Sequence, residues 1–105
     1  MNRLIYIAHP YADDPTGNAA AMRMICAEVT AHGDIPIAPA LYFPQWLDDT
    51  RPADRERGLE MACALVPLCR EVRVYGMPSS GMAREIEAAR AHRIPVVHAD
   101  DGGGP

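Results

Sequence analysis

The feature that most constrains this chain is the alternation of short apolar runs with helical segments across 105 residues. Leu4-Ile5-Tyr6-Ile7-Ala8 is a continuous apolar run that ends at His9-Pro10, as expected of a strand covered on both faces. A helix starts near Thr16-Gly17-Asn18 and stops at His32-Gly33, with Met22, Ile25, Cys26 and Val29 as its buried stripe and Asn18 one turn nearer its start. Ile35-Pro36-Ile37-Ala38 reads as a second strand, and its proline suits a sheet edge. A second helix covers about 53–65, and Val72-Arg73-Val74-Tyr75 is a third strand. Ser79-Ser80-Gly81 opens a third helix that runs through Ala91, and Ile94-Pro95-Val96-Val97 is the last strand. The order β-α-β-α-β-α-β predicts an α/β fold: a small, doubly wound parallel sheet, Rossmann-like or flavodoxin-like, with about four strands and three main helices. The length allows one domain, residues 1–98. Residues 99–105, with Asp100-Asp101-Gly102-Gly103-Gly104-Pro105, bury too little to order themselves and are expected to form a flexible tail.

Ligands of such sheets bind beyond the carboxyl ends of the strands. Those ends are His9-Pro10-Tyr11, the loop after Ala38, and Gly76 to Gly81. The segment from Pro39 to Pro52, containing Leu41-Tyr42-Phe43-Pro44-Gln45-Trp46-Leu47, reads as a long loop with a short helical turn, and long loops in compact domains often carry function. The formal net charge of -4 gives no basis for binding a nucleic-acid polymer. No apolar run approaches the roughly 20 residues that span a bilayer, and the opening Met1-Asn2-Arg3-Leu4-Ile5 turns polar too soon for a secretory signal. Cys26, Cys63 and Cys69 lie in apolar stretches with no CxxC pair. They are expected as reduced thiols of a cytoplasmic protein, with no metal site.

Within the third helix, Met82, Ile86 and Ala89 mark the buried face. At 100° per residue Glu85 falls roughly 70° from the centre of that face, and Glu87 roughly 130°. Glu87 therefore faces solvent, within reach of Arg90. Glu85 sits at the edge of the packed face near the strand ends, where a carboxylate is either a half-exposed surface group or an active-site group. Ser79, Ser80 and Gly81 can make an anion site from hydroxyls and free backbone N–H groups, or an ordinary capped turn. Asn18 suits either a helix cap or a contact to a sugar or base. Asp49, on the aromatic loop, can close over a ligand, and His9 can serve as an acid near neutral pH or as a plain loop residue.

Tyr6-Ile7-Ala8 with Pro10-Tyr11, and the pattern S-x-G-x-x-x-E present as Ser79, Gly81 and Glu85, resemble the nucleoside 2-deoxyribosyltransferase superfamily. A small bacterial and phage branch of it is similar also in Ala38-Pro39 to Gln45, in Gly58-Leu59-Glu60-Met61 and in Gly81-Met82 to Glu85-Ile86. The resemblance covers Leu4 to Val97. It implies N-glycosidic bond cleavage or transfer on a nucleoside or nucleotide, with Glu85 as the nucleophile that attacks the anomeric carbon. It further implies that Tyr6 orients Glu85, although a plain core aromatic would look the same. Ser79, with Ser80, Gly81 and Met82, would hold a sugar hydroxyl or 5′-phosphate, and no cofactor is required. The family's acid on the helix before the third strand falls here near Ala62 or Cys63, which leaves Glu60 as the nearest acid. Alternatives are cleavage of an NAD-type dinucleotide and a nucleotide-sensing module without turnover. Relatives assemble as dimers or higher forms, and Met61 and Leu65 form a second apolar stripe on the second helix. A homo-oligomer is therefore expected.

Overall fold

The computed structural model of the chain describes residues 1–99. Of the expected tail 99–105, Ala99 instead pairs with Tyr75 in the last strand, and residues 100–105 lie outside the described residues. Four strands, β1 (Leu4–Ala8), β2 (Ile35–Ile37), β3 (Glu71–Tyr75) and β4 (Val96–Ala99), form one sheet in the order β2-β1-β3-β4. Every pairing is parallel, so each connection is a crossover carrying helix: α1 (Pro15–Ala31), α2 (Pro52–Leu65) and α3 (Ser80–Ala91). The α/β architecture read from the sequence is the one observed. Pro36, which cannot donate a ladder hydrogen bond, lies in the edge strand β2 as expected. The chain leaves β1 towards one edge of the sheet and leaves β3 towards the other. The crevice of such a sheet therefore opens above the carboxyl ends of β1 and β3.

Alternation along β1 divides the core into two layers. Ile5 and Ile7 pack with Met22, Ile25 and Val29 of α1. Tyr6 and Ala8 face the other way, onto Ala62 of α2, Val66 just beyond it, and Met82, Ile86 and Ala89 of α3. One helix thus covers one face and two cover the opposite face.

Three local expectations change. The first helix begins at Pro15, one residue before the start read at Thr16-Gly17-Asn18, because Asp14 is its cap: the side chain accepts from the Gly17 N–H at 3.2 Å, and Pro15 fills the first helical position. The last strand starts at Val96 rather than Ile94, because the Ile94 N–H closes the end of α3 on the Ala89 carbonyl at 2.8 Å. Finally, Leu65 packs against the α2–α3 layer, so the second stripe expected on α2 reduces to the half-buried Met61. The aromatic loop holds two 3₁₀ turns, Pro39–Leu41 and Phe43–Gln45. No helix among the described residues is long and apolar enough to cross a membrane, and Cys26, Cys63 and Cys69 are free thiols.

Candidate active site

Strand parity aims Tyr6 at the two-helix layer, where it is fully buried. Its hydroxyl donates a hydrogen bond to Oε2 of Glu85, joining β1 to α3 across 79 positions of sequence. Glu85 lies one position before the buried Ile86, on the flank of the packed face, and lines a cavity of 640 Å³ above the strand ends. Burial pushes its carboxyl from the usual 4.5 up to about 7, against the opposing pull of the Tyr6 hydrogen bond. Burial, with the Glu85 charge behind it, raises the Tyr6 phenol well above 10, so the hydroxyl stays protonated as a donor. Next to Glu85, Arg84 forms a two-pronged ion pair with Glu56 of α2, both contacts at 2.8 Å, and ties the two helices together beside the cavity. Glu87 is exposed.

The start of α3 forms an adjoining wall. The Ser79 side chain accepts from the Met82 N–H at 3.2 Å and caps the helix. Gly81 is packed so closely that an added Cβ would stand 3.0 Å from Leu59 Cδ2. The glycine lets α3 and α2 approach while Leu59 keeps its place on the cavity wall. Ser79, Gly81 and Met82 line the cavity, as do His9 and Asp49. Ser80 is exposed beside it, with its hydroxyl 3.5 Å from an Arg55 nitrogen.

Two candidates read from the sequence take other positions. Asn18 donates to the Tyr11 carbonyl at 3.2 Å and to Asp13 at 2.7 Å, bracing the loop after β1 rather than lining the cavity. Glu60 is exposed on α2 and pairs with Arg57 at 3.7 Å, three residues back. It is not among the residues lining the cavity.

Other lining residues were not individually marked by the sequence. Arg55 and Asp54 come from the first turn of α2, Leu47 and Phe43 from the aromatic loop, and Met77 from the loop after β3. They converge because α2 runs antiparallel to the strands it connects and brings its amino end to the crevice. Gly58 and Leu59, which the sequence marks only through the family resemblance, also line the cavity. The described residues contain no cluster of three or more His, Cys, Asp or Glu able to hold a metal ion.

Comparison with known proteins bears on the fold that carries this site. Residues 3–99 match a family model described as a domain of unknown function, DUF7768. No curated protein sequence is matched significantly. Among solved structures, a 2-deoxyribosyltransferase from the psychrotolerant bacterium Bacillus psychrosaccharolyticus superimposes with a TM-score of 0.68 at 13% identity, over 97% of this chain and 75% of that one. A 2-deoxyribosyltransferase from Leishmania mexicana gives 0.63 at 19% identity, over 93% of this chain. The chain spans 64% of the length of that enzyme. The fold is thus nucleoside 2-deoxyribosyltransferase-like, and the neighbours sharing it are enzymes.

Proposed function

The chain belongs to the DUF7768 family, a domain of unknown function, and from its crevice we propose that it cleaves or transfers the N-glycosidic bond of a nucleoside or nucleotide. The observation that carries the reading is the Tyr6–Glu85 pair at the edge of the 640 Å³ cavity. The Tyr6 hydroxyl fixes one carboxylate oxygen. The other can attack the anomeric carbon as the bond to the base breaks, giving a glycosyl ester that water or a second base resolves. The transition state carries positive charge on the sugar, and an ionised Glu85 stabilises it electrostatically. Ser79, Gly81, Met82 and His9 form the surface against which the substrate rests. Tyr6 is a positioning residue, since it is buried behind Glu85.

The test is release of free base from a panel of nucleosides and nucleotides, followed chromatographically. Wild-type protein is expected to release base and Glu85→Gln to reduce the rate by at least about 1000-fold, the loss typical of removing a covalent nucleophile. Equal rates in the two proteins would remove Glu85 from the mechanism. Tight nucleotide binding without release of base would favour a sensing module.

A further inference from the structure

A second cleft, of 600 Å³, opens beside the catalytic cavity. The two share Tyr11, Pro44, Leu47, Asp49 and Arg55 as common walls, so they adjoin one another. Each volume falls in the range that encloses a drug-sized ligand, and together they exceed what one nucleoside fills. Trp46 lines the second cleft and is 56% exposed. Its ring is held edge-on by Tyr42, with centroids 4.7 Å apart at 89°, and by Phe43 at 5.7 Å and 73°. Phe43 in turn packs against the core. The indole is therefore a braced aromatic platform that remains open to a ligand.

Both clefts carry carboxyl groups, Asp48 and Asp49 lining the second, and Arg55 is the arginine that lines both. Asp13, Asp49, Asp54 and Glu85 contribute four carboxyl groups to the catalytic cavity. The Arg55 guanidinium lies where the two clefts meet, and its distance of 3.5 Å from the Ser80 hydroxyl ties it to the start of α3. A ligand that suits both clefts carries a cationic or neutral ring beside Glu85, phosphate groups at Arg55, and a second aromatic ring at Trp46.

We propose that the substrate is a pyridinium dinucleotide, with its scissile ribosyl-pyridinium half in the catalytic cavity, its phosphates at Arg55 and its distal base stacked on Trp46. This assignment rests on the reading of Glu85 as nucleophile. A Glu85 oxygen bonds to the anomeric carbon while the carbon–nitrogen bond breaks, and its electron pair neutralises the ring nitrogen. The pyridine base thus departs uncharged, and the step needs no proton donor. That agrees with the position of Glu60, outside the cavity. Water then bonds to the anomeric carbon, the ester bond returns its electron pair to Glu85, and one proton passes to solvent.

The experiment compares NAD⁺, nicotinamide mononucleotide and 2′-deoxyinosine as substrates of the purified chain, reading free nicotinamide or hypoxanthine by chromatography. The expected result is a kcat/KM for NAD⁺ at least about 30-fold above that for the mononucleotide. Trp46→Ala should cut this preference about 10-fold or more, the scale of one lost base–aromatic stack. Arg55→Ala should lower it as well. Equal or faster cleavage of the mononucleotide or the nucleoside, or a preference that Trp46→Ala leaves intact, overturns the dinucleotide while sparing the role of Glu85. Failure of the wild-type chain to release base from any of the three overturns the dinucleotide, and failure across the wider nucleoside and nucleotide panel removes the glycosidic reading with it.

Discussion

Replacing Glu85 by glutamine removes a charge while keeping the shape and an oxygen for the Tyr6 hydroxyl to donate to. In the folded chain the carboxyl loses its proton near pH 7, and in the unfolded chain near the ordinary 4.5. The folded state therefore holds the extra proton between those values, and stability falls as pH rises through the window. At 1.36 kcal/mol per tenfold difference in proton affinity, the full cost of ionising Glu85 in place is about 3 kcal/mol. About 2.5 kcal/mol of it accumulates between pH 5 and pH 8.5 by the same linkage. Glutamine has no such charge to bury. Urea denaturation of both proteins at pH 5 and pH 8.5 isolates the effect, because other titrating groups are common to the two. Glu85→Gln is expected to gain about 2 kcal/mol on the wild type at the higher pH relative to the lower. It should do so while losing turnover, so that a residue which costs stability above neutral pH would also be the one the proposed chemistry requires. Parallel pH profiles for the two proteins would refute the placement of Glu85 in a desolvating crevice.

Tyr6→Phe should lower the rate about 10- to 1000-fold, as for a lost catalytic contact, and change stability by less than about 1.5 kcal/mol. Because the tyrosine bond holds the Glu85 carboxyl down, the rising limb of the pH–rate profile should sit near pH 7 in the wild type and move higher in Tyr6→Phe; an unmoved limb would leave Tyr6 a mere core residue. Gly81→Val forces Leu59 away from a position already only 3.0 Å from the new Cβ, and should destabilise by about 1–3 kcal/mol while raising KM; a variant with wild-type denaturation midpoint and KM would show that the wall yields freely. Asp34 accepts from Arg3 at 2.8 Å, which holds its carboxyl at about 2, below the ordinary 3.8. Its contribution is complete above the ordinary value and is lost as pH falls through about 2. Asp34→Asn should therefore lower the thermal midpoint at pH 7, with the gap to wild type closing between pH 4 and pH 2.

The sheet was legible because its signals are local. The apolar run of β1, the proline of β2 and the glycine at position 33 each fix backbone state through their immediate neighbours. The Glu85–Glu87 distinction followed from helical angle alone, and the structure places Glu87 in solvent and Glu85 at the cavity. What could not be read depends on docking between distant segments. Arg55 lies on an exposed helical turn by sequence and reaches the cavity only because α2 packs beside α3. Asn18 looked equally suited to ligand or cap until the loop after β1 folded onto it. The start of α1 was a missed local signal, since Asp14-Pro15 is itself a cap followed by a favoured first residue.

The division of β1 between two layers has a consequence for folding fidelity. Tyr6 flanked by Ile5 and Ile7 means that a one-residue slip of β1 against β3 would exchange the hydroxyl for a methyl-bearing side chain and turn the tyrosine towards α1. Such a misregistered chain would still bury apolar groups on both sides, so hydrophobic contact alone discriminates weakly against it. It could not, however, satisfy the Glu85 carboxyl held beside α2. The pair that would perform the chemistry thus also acts as a checkpoint on strand alignment, and the appearance of activity during refolding would report correct pairing at the centre of the sheet rather than mere collapse.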